Sequence, residues 1–260
     1  MLFSHILKSP GHTSKKEHVL RSSPLLRDDE LFSGTYKDLS AARSAAPRGA
    51  RLDAGALSNA WTLYRHEIHS WDYPALYWLA DALKTSGHRI FDLGGQFGAK
   101  YYAYGQHLTY PASLSWTVCD APEIVAVGEK VARQRMAPAH LSFCIEKSQA
   151  SAADVLLVSG VLQYLPNTLE EILAQMPTKP QRVLINVTAV HPRTTIFTLS
   201  TIGCAVRPYR IQRQDGLLEV LARSGYRIRD VWRNEGKQVV IPFVNDSKDA
   251  YFFGCCADLI

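Results

Sequence analysis

The chain has 260 residues, a net charge of +5 and a hydrophobic fraction of 47%. These values are typical of a folded globular protein that buries a sizeable core. Its basic residues are scattered and form no long run, so the charge does not predict nucleic-acid binding. The sequence contains no apolar stretch of roughly 18 residues or more, so no membrane span is predicted.

The five cysteines are odd in number and show no C-x-x-C spacing. Most of them lie in apolar runs, where a free cysteine behaves as a small hydrophobic side chain. This pattern favours a reducing compartment, and we predict a cytoplasmic protein with no disulfide framework and no metal site.

Residues 1–30 are polar and are predicted to be a flexible N-terminal segment. Residues 31–87 are predicted to be a helical, aromatic-rich extension, with one helix over 56–68 and a second from Pro74 to Gly87. The aromatic residues between Trp61 and Trp78 fit either core packing or a wall over a ligand site.

Residues 88–260 are predicted to form the main α/β domain. Apolar strand patterns alternate with helical patterns there, which predicts a doubly wound, mostly parallel sheet. Thr168 begins a capping box, and Asp215 is predicted to cap a later helix. The strand candidates are 90–93, 114–120, 141–145, 154–159, 182–187, 226–232 and 251–259.

A glycine-rich turn follows the first of these strands, in Phe91-Asp-Leu-Gly-Gly-Gln-Phe-Gly98. A strand, a glycine turn and a helix place backbone N–H groups and a positive helix end against an anionic or polar ligand. The spacing of Gly94, Gly95 and Gly98 differs from that of the G-x-G-x-x-G dinucleotide fingerprint. A tight turn without a ligand is therefore the alternative interpretation.

Two further features follow the carboxyl ends of neighbouring strands, where open α/β sheets bind ligands. Asp120 ends the second strand, and its carboxylate can accept both hydroxyls of a ribose; the alternative is a simple helix cap. The segment Ser159-Gly-Val-Leu-Gln-Tyr164 follows the continuous apolar strand and is predicted to lie over the same crevice; the alternative is an ordinary strand-to-helix loop.

These segments resemble motifs of the class I S-adenosylmethionine-dependent methyltransferases. Residues 91–98 look like motif I, although Gln96 stands where that motif has a glycine. Val118-Cys-Asp-Ala-Pro-Glu-Ile-Val125 is similar to the ribose-binding segment of small-molecule O-methyltransferases. The resemblance implies a seven-stranded Rossmann-like sheet, closed by an antiparallel hairpin formed from the last two strand candidates.

The chain also resembles, more narrowly, a bacterial methyltransferase family associated with surface-polysaccharide gene clusters. This resemblance covers residues 31–259 and implies a role in polysaccharide biosynthesis. It is carried by Phe32-Ser-Gly-Thr-Tyr36, Asp92-Leu-Gly-Gly95, Leu162-Gln-Tyr-Leu165, Arg207-Pro-Tyr-Arg210 and Gly225-Tyr226.

The resemblance implies S-adenosyl-L-methionine as the cofactor. Asp120 would bind its ribose, and Asp92 would anchor the turn or the cofactor ammonium. The remaining cofactor-binding residues implied are Gly94, Gly95, Gly98, Ser159 and Gln163.

On the acceptor side, His191 is the first candidate for a general base and Tyr164 the second. The alternative for His191 is a histidine in a surface loop before Pro192. Tyr209 and Arg210 are predicted to bind the acceptor, and Arg210 could pair with an acidic sugar or a phosphate. Alternatively, Arg207 and Arg210 are solvated surface charges.

The sequence thus predicts a methyltransferase acting on a small molecule or glycan, with O-methylation favoured. A nicotinamide-dependent oxidoreductase could use the same crevice, but the glycine spacing and the absence of a Tyr-x-x-x-Lys pair disfavour it. A non-catalytic binding module of the same fold is the third interpretation.

Overall fold

The computed structural model describes residues 31–47, 67–85, 87–135, 140–150, 152–202 and 205–260. The predicted flexible segment 1–30 and nearly all of the predicted helix 56–68 lie outside these ranges. Within the ranges, no helix is long and apolar enough to cross a membrane.

Ten strands form one continuous sheet with two parts. They are β1 (Leu31–Tyr36), β2 (Arg89–Leu93), β3 (Ser115–Cys119), β4 (Leu141–Cys144), β5 (Val155–Ser159), β6 (Arg182–His191), β7 (Ile196–Ile202), β8 (Ala205–Arg213), β9 (Tyr226–Gln238) and β10 (Tyr251–Leu259). The main part has seven strands in the order β4-β3-β2-β5-β6-β10-β9. Strands β2 to β6 run parallel, while β10 is antiparallel to both β6 and β9. The predicted doubly wound sheet and its closing hairpin are confirmed.

Helices cover both faces of this main sheet. Helix α1 (Leu39–Ala45) packs instead on β1, β7 and β8, and the helices of the main sheet are α2 (Tyr73–Leu83), α3 (Ala99–Tyr104), α4 (Pro122–Gln134), α5 (Leu169–Gln175) and α6 (Gln214–Arg223). Alternate residues of β5 enter two separate apolar clusters: Leu156 and Val158 pack on the side of α5 and α6, and Leu157 on the side of α2 and α3. Burial on both faces explains why the sequence of β5 is a continuous apolar run.

Two of the predicted helix starts are confirmed and one is wrong. Pro74 lies in the first turn of α2, and Thr168 forms the predicted capping box with Glu171 at the start of α5. Asp215 does not cap α6, because Arg213 occupies the N-cap and Asp215 lies in the first turn. There its negative charge still complements the positive end of the helix.

The second part of the sheet was not predicted. Strand β6 continues past residue 187 to His191, and its last two residues pair in parallel with β8. Strands β7 and β8 form an antiparallel hairpin, and β1 pairs with β7. The segment between β6 and α6 therefore builds an extension at the carboxyl edge of the parallel strands. The part of the predicted 31–87 extension that the structure describes contains β1, α1 and α2.

Candidate functional site

The glycine turn after β2 is shaped by close packing as well as by backbone conformation. Gly94 has φ +71° and Gly98 has φ +87°, a region that side chains disfavour. A methyl group on Gly94 would clash with Val161, and one on Gly95 would clash with the Asp92 carboxylate. Both glycines thus let the turn lie directly against its neighbours. Gln96 also has a positive φ, of 55°.

Asp92 lies beneath this turn and is fully buried. Its Oδ2 accepts a hydrogen bond from Trp116 Nε1 at 3.1 Å. Burial raises the pKa of Asp92 to about 7, although the Trp116 bond and the Lys100 cation act in the opposite direction. The Asp92 carboxyl is therefore partly protonated near neutral pH, and a cation placed beside it would favour the charged form.

Asp120 lies across from the turn, at the end of β3. Its Oδ2 accepts from the Gln96 amide at 2.9 Å, and its Oδ1 accepts from the Ala121 amide at 2.7 Å. Helix α4 has Ala121 as its N-cap and no side-chain cap, so Asp120 bridges the turn to the helix rather than capping it. Burial raises the pKa of Asp120, while the two amide bonds and the Arg207 charge oppose that shift.

The loop after β5 brings a third group to the same edge. Gln163 is buried, and its Nε2 donates to the Val187 carbonyl at 3.2 Å. Its Oε1 has no hydrogen-bond partner within the described ranges. A buried acceptor of this kind is costly unless a donor reaches it. Ser159 ends β5 in a half-buried position on the same edge.

A short segment before α2 is fixed against the carboxyl edge by polar contacts. Asp72 is buried, and its Oδ1 lies 2.6 Å from Lys100 Nζ on α3. Tyr104 also donates its hydroxyl to that oxygen, at 3.3 Å. Asn186 and Asn234 each donate to the Trp71 carbonyl at 3.1 Å. The segment therefore links α3 to β6 and β9.

Trp71 itself is half-buried and packs on the apolar cluster of the extension. That cluster includes Val187 at the bend of β6 and Tyr209 on β8, with Tyr164 against it. Trp71 thus contributes to core packing and also borders the carboxyl edge, so the two interpretations of the aromatic section are compatible at this residue.

The two predicted acceptor-binding residues on β8 are buried. Tyr209 packs edge to face against Phe32 and Tyr164, with ring centroids 5.0 and 4.9 Å away. Arg210 donates through Nη2 to the carbonyls of Asn167 at 2.9 Å and Leu165 at 3.3 Å. Burial lowers the pKa of Arg210. The solvated-surface alternative is wrong for Arg210, whose contacts hold the loop between β5 and α5.

His191 is fully buried as the last residue of β6. Its Nδ1 accepts hydrogen bonds from the amides of Arg193 and Thr194, both at 3.1 Å. The neutral ring therefore carries its proton on Nε2. The surface-loop alternative is wrong, since the imidazole holds the turn that leads from β6 to β7.

The structure brings together Asp92, the glycine turn, Asp120, Gln163 and Tyr164 at one edge of the sheet. His191 and Arg210 hold two neighbouring connections: His191 the turn after β6, and Arg210 the loop between β5 and α5. Sequence reasoning missed the residues that hold the segments around this site, because no local pattern marks them. These residues are Asp72, Lys100, Trp116, Asn186 and Asn234.

No protein-family model matches the sequence, and no curated protein sequence matches it. Solved structures do match in fold. The N-terminal domain of EvdMO1, crystallised with SAH and D-fucose, is 11% identical with a TM-score of 0.54, and the match covers 82% of this chain and 100% of that domain. The [4+2]-cyclase SpnF is 16% identical with a TM-score of 0.50, over 79% of this chain and 94% of SpnF.

A third match is OxaC in complex with sinefungin and meleagrin, at 14% identity and a TM-score of 0.50. The match covers 80% of this chain but 51% of OxaC, so the chain spans about half the length of that protein. At these identities the comparisons bear on the fold. The chain shares with these structures a mostly parallel, Rossmann-like α/β fold.

Proposed function

We propose that this protein is an S-adenosylmethionine-dependent methyltransferase that acts on a small molecule or glycan, with O-methylation favoured. The observation that carries the proposal is the position of Asp120 across the glycine turn from Asp92. A carboxylate offers about four lone-pair positions. Asp120 uses two of them on backbone amides, which leaves two for the vicinal hydroxyls of a ribose.

The remaining groups at this edge also fit the cofactor. The turn formed by Gly94, Gly95 and Gly98 would lie beneath its methionine part. Gln163 Oε1, buried and without a partner in the described ranges, fits an ammonium donor, and Asp92 supplies a second acceptor nearby. Ser159 would complete the methionine end. S-adenosylmethionine supplies a methyl group already activated on a sulfonium.

With an activated methyl group, the protein has mainly to orient the acceptor and exclude water. Trp71 and Tyr164 border the edge and suit that task. A hydroxyl acceptor also benefits from a general base. Tyr164 is half-buried beside the crevice, so it is better placed than His191, whose Nδ1 is already engaged by two amides.

Cofactor binding is tested by thermal unfolding with S-adenosylhomocysteine, with NAD and with neither. A ligand at 100 times its dissociation constant stabilises by about 2.7 kcal/mol, which raises the midpoint by several degrees. We expect this shift with S-adenosylhomocysteine in the wild type. Asp120→Asn should remove most of it, while Asp215→Asn, which changes an exposed aspartate of α6, should retain it.

A second candidate is a protein that uses this fold without methyl transfer, because one structural match is named a [4+2]-cyclase. Transfer of a labelled methyl group to acceptors separates the two. Sugars are the first acceptors to try, since EvdMO1 was crystallised with D-fucose. A shift with NAD alone would favour the oxidoreductase. No shift with either ligand in folded protein would favour a binding module.

A further inference from the structure

Arg207 on β8 is held in a fixed orientation at the carboxyl edge. Its guanidinium carbon lies 4.0 Å from the centroid of the Tyr164 ring, in stacking contact. The side chain is half-buried, and its Nε atom is shielded from solvent with no hydrogen-bond partner in the described ranges. No carboxylate of those ranges forms an ion pair with it within 4.0 Å.

Two other arginines with shielded guanidinium groups find protein acceptors, although Arg210 Nε, like Arg207 Nε, has no partner in the described ranges. Arg182 binds Asp81 and Asp258, and Arg210 binds the carbonyls of the loop before α5. Arg207 has no equivalent acceptor in the described part of the chain. Leaving a shielded donor of a charged group without a hydrogen bond costs free energy. This arrangement is the one expected of a residue whose acceptor comes with a ligand.

The direction of the side chain follows from the alternation of residues along β8. Successive side chains point to opposite faces of a strand, so Arg207 shares a face with Tyr209, and Arg210 lies on the other. Tyr209 belongs to the cluster that contains Val187 and packs against Trp71 and Tyr164. Arg207 therefore lies on the face that borders the proposed cofactor site, and its charge acts on Asp120 there.

We infer that Arg207 selects an acceptor that carries an anionic group, a carboxylate or a phosphate. The inference rests on the proposed function, because it names the substrate class of the same site. A guanidinium presents two parallel N–H donors that match either anion. Stacking on Tyr164 fixes the plane of that fork before the acceptor arrives, which reduces the entropy lost on binding.

The experiment is calorimetric titration of the protein saturated with S-adenosylhomocysteine. The probes are D-glucuronate, D-glucose 6-phosphate and D-glucose, which share a ring and differ in charge. We expect at least one charged sugar to bind more tightly than glucose, and the two charged probes distinguish a carboxylate site from a phosphate site. Arg207→Gln should weaken that probe about ten- to a hundredfold, and Arg207→Lys less.

Arg223→Gln is the matched control, since this arginine is exposed at the end of α6 and loses the same charge. It should bind all three sugars as the wild type does. The inference is overturned if neither charged sugar binds better than glucose, or if Arg207→Gln and Arg223→Gln weaken binding equally. It is also overturned if Arg207→Gln lowers the affinity for S-adenosylhomocysteine itself, which would assign Arg207 to the cofactor. Failure of the wild type to bind S-adenosylhomocysteine contradicts the proposed function instead.

Discussion

The carboxylate of Asp120 accepts a hydrogen bond from the backbone amide of Gln96 at 2.9 Å. The end of β3 thereby holds the glycine turn that follows β2, and the second carboxylate oxygen holds the Ala121 amide before α4. The residue proposed to bind ribose is thus also a support of the turn. Changes at Asp120 will act on both, whereas a change at Gln96 can act on the turn alone.

Gln96→Gly is expected to stabilise the protein by about 0.5–1 kcal/mol. Gln96 has φ 55°, a conformation that costs a non-glycine residue about 1–3 kcal/mol. Glycine removes this strain but adds about 0.5–1 kcal/mol of backbone entropy loss. The amide that binds Asp120 is retained, so the affinity for S-adenosylhomocysteine should not change. Urea unfolding measures the gain; a loss of stability would show that the Gln96 side chain makes a compensating contact.

Asp92 should make the protein less stable as the pH rises from 5 to 8. Its pKa is raised to about 7 in the folded protein, against 3.8 when unperturbed, so the folded state binds the proton more tightly. The contribution is fully present below about pH 4 and is lost as the pH rises through about 7. Between pH 5 and pH 8 it amounts to about 2–3 kcal/mol.

Asp92→Asn isolates this contribution, because the amide cannot titrate. Urea unfolding of both proteins at several pH values should give curves that diverge from about pH 4 to about pH 7 and run parallel above that, with the variant losing less stability. Parallel curves would show that Asp92 is ionised throughout the range. S-adenosylhomocysteine offers a second measurement, since its ammonium should bind the wild type more tightly above pH 7 if Asp92 contacts it.

The main sheet was predictable from sequence because its strands have strong local patterns. The run Val155-Leu-Leu-Val158 is buried on both faces, Asp92 lies within the buried part of β2, and Asp120 follows β3 directly. The strands of the extension, β1, β7 and β8, lack such a regular apolar pattern. Thr198 and Ser200 are polar yet fully buried on β7, which obscures the alternation, and β8 contains Pro208 between charged residues.

The segments around the site are held in place by contacts between residues that are far apart in the chain. Lys100 meets Asp72 across 28 positions, and Asn234 meets the carbonyl of Trp71 across 163. A local pattern cannot show which partner a polar residue will find, and each of these residues alone is unremarkable in sequence. The alternative that placed His191 in a loop was wrong for the same reason. The length of β6 is set by its pairing with the distant strands β8 and β10, which no local pattern shows.

The buried pair of Asp72 and Lys100 should be strongly coupled. Lys100→Met is expected to cost about 3 kcal/mol, because it leaves the fully buried Asp72 carboxylate without its cation. Asp72→Asn should cost less, since Lys100 is 21% exposed and can reach water. The double variant should be more stable than the sum of the single effects predicts, by about 2 kcal/mol in a double-mutant cycle.

Arg133→Met with Glu129→Gln is a matched control for that cycle. This pair lies on the exposed face of α4, 3.8 Å apart, and should show a coupling of no more than about 0.5 kcal/mol. Additive effects at Asp72 and Lys100 would mean that the segment before α2 is not held by the ion pair. Its attachment would then depend on the asparagine contacts to Trp71.

Gly94→Ala should destabilise the protein far more than Gly160→Ala, although both glycines have φ +71°. The backbone cost of the two substitutions is therefore similar, about 1–2 kcal/mol. A methyl group at Gly160 meets no atom within 4 Å, whereas one at Gly94 clashes with Val161. Overpacking of this kind adds about 1–3 kcal/mol. Val161→Ala in the Gly94→Ala background should recover part of that addition in urea unfolding; equal losses at the two glycines would show that the turn moves freely away from Val161.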